Sequence, residues 1–225
     1  IELDLSFFQA DEGGSHYIYA TSQVNYWQVL LNDSLMFQRS LLTSVLSHKP
    51  VYQSDNNWAV SSELNYNDNT YDVNFFISEH SDSLEYKLYF SLFYPEDTFS
   101  YLNLPVFNGM SYKNNVMGYW EINKPDTSNT YKKFFEVNWG DTVWNSSKIK
   151  FTNSLSGNDN GKFILYIDSV DGNYNAYLDL FEKESANHTF IQWNKSTKEG
   201  RIKDNLRYNN DNWYYWDETF EDIPD

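Results

Sequence analysis

The sequence predicts an α+β chain that is mainly β, a long antiparallel meander forming a curved sheet or partial barrel packed on an N-terminal helix. Three observations predict it. Residues 24–48 carry apolar side chains at helical spacing and precede Pro50, which cannot continue a helix. From residue 57 to residue 204, short alternating runs rich in aromatics are separated by polar turns. The links between runs are short, which favours antiparallel neighbours, and a twisted sheet of about ten strands tends to curl or close.

Each element can be justified in chain order. Residues 1–23, IELDLSFFQADEGGSHYIYATSQ, begin with strand-like alternation and then a Gly13-Gly14 turn. In residues 24–48, Val24, Trp27, Leu31, Leu35, Leu42 and Val45 form the stripe, widened by Leu30, Leu41 and Leu46, with a break expected around Asn32–Ser34. Strands follow at 57–66, 71–79, 84–94, 99–106, 116–123, 131–139, 146–153, 162–169, 174–182, 187–194 and 199–204. Turns are expected between them at NDNT (67), HSDS (80), NGM (108), KPDTSN (124), SGNDNG (156), DG (171) and KESAN (183). In KKFFEVNW, alternation sends Lys133, Phe135, Val137 and Trp139 to one face and Phe134, Glu136 and Asn138 to the other. Residues 205–225 close the chain as a latch, in which Trp213 and Trp216 share one side of a tight or helical turn, both buried, with Tyr214 more exposed.

The 225 residues fit a single domain spanning 1–225. Aromatics make up 19% of them, enough large apolar surface for a real core. A formal net charge of −16 opposes phosphate backbones and anionic lipid, so nucleic acid is not an expected partner. With no cysteine there is no disulfide framework, thiolate zinc site or thiol nucleophile. No stretch approaches the ~20 apolar residues that span a bilayer, and the start at Ile1 without Met reads as a processed chain.

Motifs for chemistry are sparse. His16, His48, His80 and His188 stand singly, outside any HExxH, and read as surface residues. There is no G-x-S-x-G, P-loop or G-x-G-x-x-G, so acyl, phosphoryl and hydride transfer have no foothold. Glu63, Glu79, Glu85, Glu121 and Glu136 fall on strands, where a facing pair would serve a glycosidase, but any acidic β-protein offers as much. NDNTYD (67–72), GNDNG (157–161) and DSVDGNYN (168–175) offer oxygen ligands for calcium, yet such runs arise in turns for conformational reasons. No catalytic residue, metal site or cofactor is assigned. The surplus of rings is the stronger hint: Tyr119, Trp120, Trp139 and Tyr214 are candidate ligand-binding residues, able to stack on sugar or nonpolar ligands or merely to pair across strands.

The last fifty residues carry IQWN, EGRIKD, W-x-x-WD and an acidic D-x-x ending. In that order, with GYWEIN and IKFTN upstream, they resemble an uncharacterised predicted-lipoprotein family of Bacteroidetes, over roughly residues 24–225. The resemblance implies an extracytoplasmic protein, secreted or at the outer membrane, reaching the membrane only through a lipid anchor. Family endings resemble W-x-C-W-D with a terminal Cys; Tyr215 and Asp225 stand at those positions, so the implied disulfide is lost as a unit and packing must hold the tail. Ser34, Ser83, Thr142 and Ser169 sit in D-[ST]-apolar triplets resembling O-glycosylation acceptors of exported Bacteroidetes proteins, although Asp-Ser pairs also serve as local turns or caps, the preferred reading at Asn32–Leu35. The function expected is non-enzymatic: binding of a protein partner in the envelope, as in an outer-membrane or surface complex. The alternative is a glycan- or nonpolar-ligand-binding module, and a glycoside hydrolase stands behind both.

Overall fold

The structure, a computed structural model, describes residues 5–8, 12–92, 101–113, 117–126, 130–141, 147–154, 160–168 and 172–224. Helix α1 (Ser15–Leu46) precedes β1 (Val51–Tyr52), β2 (Asn57–Tyr66), β3 (Asn69–Glu79), β4 (Ser83–Leu92), β5 (Tyr101–Tyr112), β6 (Met117–Pro125) and β7 (Tyr131–Asp141). Then come β8 (Ser147–Asn153), β9 (Phe163–Asp168), β10 (Ala176–Glu182), β11 (Asn187–Trp193), β12 (Gly200–Asp204), α2 (Asn205–Tyr208), β13 (Tyr214–Trp216) and β14 (Asp222–Ile223). Each strand hydrogen-bonds to the next in sequence, giving a 14-stranded meander from β1 to β14 without a crossover. The chain is thus mainly β, antiparallel, with an N-terminal helix. It divides into two compact units, Ser34–Asn138 and Ile1–Asp33 with Trp139–Asp225.

In the unit Ser34–Asn138, Leu35, Gln38, Leu41 and Val45 form the buried stripe of α1. Phe37 sets its ring 5.4, 5.1 and 5.5 Å from Tyr66, Tyr71 and Phe90 on β2, β3 and β4, and Gln38 Nε2 donates to the carbonyl of Asn123 on β6. Asn67 and Asp68 both take positive φ, 48° and 61°, as a two-residue hairpin of type I′ needs. The β4–β5 register shifts between Leu88 and Tyr89, opposite Phe107 and Pro105. Pro105 has no N–H for the ladder, so an irregularity is where a strand tolerates it, and Val106 and Phe107 are both buried there.

In the other unit, the stripe of α1 is Tyr17, Ala20, Val24, Trp27 and Leu31, alternating steps of three and four. One row of Cα partners runs Ala176, Trp193, Gly200, Trp216 across β10 to β13. Large and small alternate along it, so two fully buried indoles fit in one layer. A Cβ on Gly200 would run into the Trp216 ring. Phe8 stands edge-on to Trp193 at 4.9 Å and Tyr17 edge-on to Trp216 at 5.7 Å; burial of each such side chain contributes about 1.5–3 kcal/mol before entropy.

Several expectations need correction. Helix α1 runs unbroken through Asn32–Leu35, so those residues form neither turn nor cap, and it starts at Ser15 and ends at Leu46. Leu41 rather than Leu42 is fully buried, and Leu46 is exposed. NGM at 108 is not a turn: β5 continues because Gly109 lies directly opposite Trp120, whose indole occupies the space a side chain would need. In β7 strict alternation fails, since Phe134 and Phe135 are both buried while Lys133 reaches Glu136 at 3.0 Å. The tail is strand, not helical turn. Extended backbone sends Trp213 and Trp216 to opposite faces, so Trp216 is fully buried and Trp213 only half.

Candidate binding face

The same registers that bury Trp193 and Trp216 build a second surface on the opposite side of β8–β13. One row of Cα partners there reads Lys148, Ile167, Tyr177, Gln192, Arg201, Tyr215. The next reads Lys150, Leu165, Asp179, Phe190, Lys203, and a third Thr152, Phe163, Phe181, His188. The rings are half-buried. Cations lie over them: Lys150 Nζ is 3.8 Å from the Phe163 centroid, and the Arg201 guanidinium is 4.3 Å from Trp213 and 4.7 Å from Tyr174. Lys203 sits 5.9 Å from Phe190 and 6.0 Å from Trp213. Such contacts contribute roughly 0.5–1 kcal/mol each when exposed and more when dry.

Acids are few on this face. Asp179 is buried and accepts from, or pairs with, His188 Nδ1 at 2.7 Å. At the rim, Asp211 pairs with Lys203 at 2.8 Å and Glu199 accepts from Thr197 Oγ1. Arg201 donates Nε to Gln192 Oε1 at 2.7 Å, and among the described residues no carboxylate reaches ion-pair distance of Arg201, Lys148 or Lys150. Burial raises the Tyr174 phenol, opposed by the Arg201 charge, and raises Tyr177 with help from Asp179. Both therefore stay neutral donors at neutral pH.

Two polar clusters lie elsewhere in this unit. Asp222 receives the backbone N–H groups of Ser15 and His16 at 2.9 Å each and the Ser15 hydroxyl at 2.7 Å. His16 Nδ1 meets the Tyr208 hydroxyl at 3.0 Å, and Tyr208 stacks on Tyr214 at 3.8 Å. Burial foremost pushes the Tyr208 phenol up to about 12. The Ser15 hydroxyl bonds the carboxylate directly and not the imidazole, so the arrangement is that of a helix cap rather than of an activated nucleophile. His16 is accordingly not the surface residue expected. The second cluster is Asp204, 1% exposed, which accepts from Tyr19 Oη, Thr189 Oγ1, Asn187 Nδ2 and the Arg207 amide. Burial raises its carboxyl, but these bonds together hold it below the ordinary range.

The other candidates are dispersed. Tyr119 is exposed, while Trp120 folds over Gly109 with its ring 5.8 Å from Phe107, both in the unit Ser34–Asn138. Trp139 is half-buried at the end of β7, and Tyr214 belongs to the Tyr208 stack. Glu79 pairs with Lys113, Glu85 with Lys87, and Glu121 and Glu136 share Lys133; Glu63 faces Asp72 across β2–β3. Ser34 lies half-buried inside α1. Ser83 is buried, its hydroxyl donating to Asp82. Thr142 and Ser169 lie outside the described residues, as do parts of GNDNG and DSVDGNYN; among the described residues no group of three metal-ligating side chains occurs. Sequence reasoning missed Arg201, Trp213, Tyr174 and the Lys148–Lys150 pair. The signal was present as the K-x-K and R-x-K alternation of β8 and β12, but strand pairing alone says which rings those cations meet.

Comparison with known protein families, with curated proteins and with solved structures finds no match to this chain.

Proposed function

We propose that the chain is a non-enzymatic binding protein that takes a macromolecular partner on the β8–β13 face. The observation that carries this reading is the concentration of half-exposed rings and unpaired cations there, in a chain of net charge −16. Solvent-facing cations in so acidic a chain would ordinarily find carboxylates, as Lys87, Lys113 and Lys133 do; a face that leaves Arg201 and Lys150 on aromatic rings is arranged for something outside the molecule. The location proposed is extracytoplasmic, secreted or held at the outer membrane by a lipid anchor, on the strength of the C-terminal resemblance. No helix among the described residues is long and apolar enough to cross a membrane. We read the strands of the unit Ser34–Asn138 as curving about their stretch of α1, because Phe37 and Gln38, adjacent on one helix, reach β2, β3, β4 and β6.

The test is quantitative capture from an envelope fraction by the full chain, with partners identified by mass spectrometry. Lys150→Glu with Lys203→Glu should abolish capture, whereas Lys133→Glu, in the other unit, should leave it intact. Capture unaffected by the first pair, or lost equally with the control, overturns the reading.

A further inference from the structure

We infer that the ligand of this face is a carboxylate-bearing polysaccharide crossing the strands from β8 to β13, with Arg201 its first carboxylate site and Lys148 and Lys150 its far anchor. The inference rests on the reading of the face as a binding surface and names the ligand class.

The first support is the state of Arg201. Tyr174 and Trp213 lie 4.7 and 4.3 Å from its Cζ and Gln192 accepts from Nε, leaving the terminal nitrogens without a protein acceptor among the described residues. A planar fork held in one orientation suits a carboxylate, which it can engage through two parallel bonds. The second is spacing. Lys148 and Arg201 occupy the same row four strands apart, as do Lys150 and Lys203; at ~4.8 Å per strand the cations stand roughly 19 Å apart. Between them lie Ile167, Tyr177 and Gln192 in one row and Leu165, Asp179 and Phe190 in the other, a strip that offers apolar faces to the C–H side of sugar rings and an amide to their hydroxyls. A rod with charges at intervals matches a strip that is cationic at both ends and aromatic within.

A nucleic acid fits less well. A nucleic acid strand brings a charge about every 3.4 Å, denser than two cation pairs roughly 19 Å apart can neutralise. An acidic protein would also meet an aromatic centre with a charged rim here, which is why poly-glutamate is the competing arm of the test below.

The experiment titrates the full chain with oligogalacturonates of defined length, followed by calorimetry and by Trp fluorescence. The expected results are saturable binding that weakens with NaCl, no binding of the fully methyl-esterified oligomers, and tighter binding once the oligomer spans both ends of the strip. Arg201→Gln should weaken binding at least tenfold for oligomers of any length, and Lys150→Gln only for the long ones. Equal binding of free and esterified oligomers, no effect of either variant, or preferential binding of oligo-dT or poly-glutamate would each overturn the assignment. Should Arg201→Gln fail to fold, Lys150→Gln and the ester comparison decide alone. If oligogalacturonate does not bind while envelope capture still depends on Lys150 and Lys203, the ligand class falls and the binding face stands; if both fail, both fall.

Discussion

Replacing Asp222 by Ala removes the acceptor for three donors at the first turn of α1: the Ser15 and His16 amides and the Ser15 hydroxyl. A capping side chain of this kind contributes about 0.5–2 kcal/mol, and a carboxylate near the positive end of a helix adds ~0.3–1 kcal/mol. The Asp222 side chain is 31% exposed, so solvent screens part of the charge. The expected loss is therefore about 1–2 kcal/mol, which for a chain of this length lowers Tm by roughly 2–8 °C. Asp222→Asn keeps an acceptor without the charge and should lose about half as much. The pH dependence follows from the same contacts. Burial raises the Asp222 carboxyl, but the Ser15 and His16 bonds and the His16 charge outweigh it and hold it below its usual range. A carboxylate with a lowered folded pKa stabilises above the ordinary value of about 3.9 and stops doing so as pH falls through the folded value. The gap between wild type and Asp222→Ala should thus be present above the ordinary carboxylate range and narrow as pH falls through the lowered folded value. Thermal unfolding by circular dichroism across that range measures it, with hydrogen exchange of the amides at 15–18 as a local readout. A gap absent at neutral pH, or undiminished in acid, would refute the capping account.

Asp204→Ala strips a buried acceptor from Tyr19, Thr189, Asn187 and the Arg207 amide and should cost about 3 kcal/mol, seen as a lower urea midpoint; an unchanged midpoint would mean water replaces the carboxylate. Gly200→Ala forces its methyl into the Trp216 indole and should destabilise by roughly 1–3 kcal/mol, with a shift in Trp emission; a neutral result would show that Trp216 is free to move.

Much of the fold was legible because its signals are local. The strands from β2 to β12 announce themselves by alternation and by turn residues: Asn67-Asp68 sits at positive φ where the reading put a turn, and β10 and β11 meet across the KESAN turn. The stripe of α1 was legible from Val24 onward. Its first turns were not, because SHYIYATSQ is rich in residues that favour strands or caps and has no capping acid of its own. The cap is Asp222, 207 residues away. NGM failed for a like reason: Gly109 is glycine to admit Trp120 from the next strand, not to turn the chain. The structure does not gather the four candidate rings, because single-sequence reading weighs each ring's exposure and not its neighbours.

DNWYYWDETFED shows the division in one stretch. The preceding EGRIKD strand and the resemblance of the ending lead to the expectation of a latch with both indoles packed on one side. The tertiary structure alone assigned the parts: Trp216 beside Gly200 in the core, Trp213 against Arg201 on the opposite face, Asp222 on the start of α1. By itself the sequence determined the type of most elements from β2 to β12, the meander order and the absence of a thiol, since each depends on residues close in the chain or on composition. Which cation meets which ring, and which acid caps which helix, depends on strand register and on contacts between distant segments, and only the folded chain decides those.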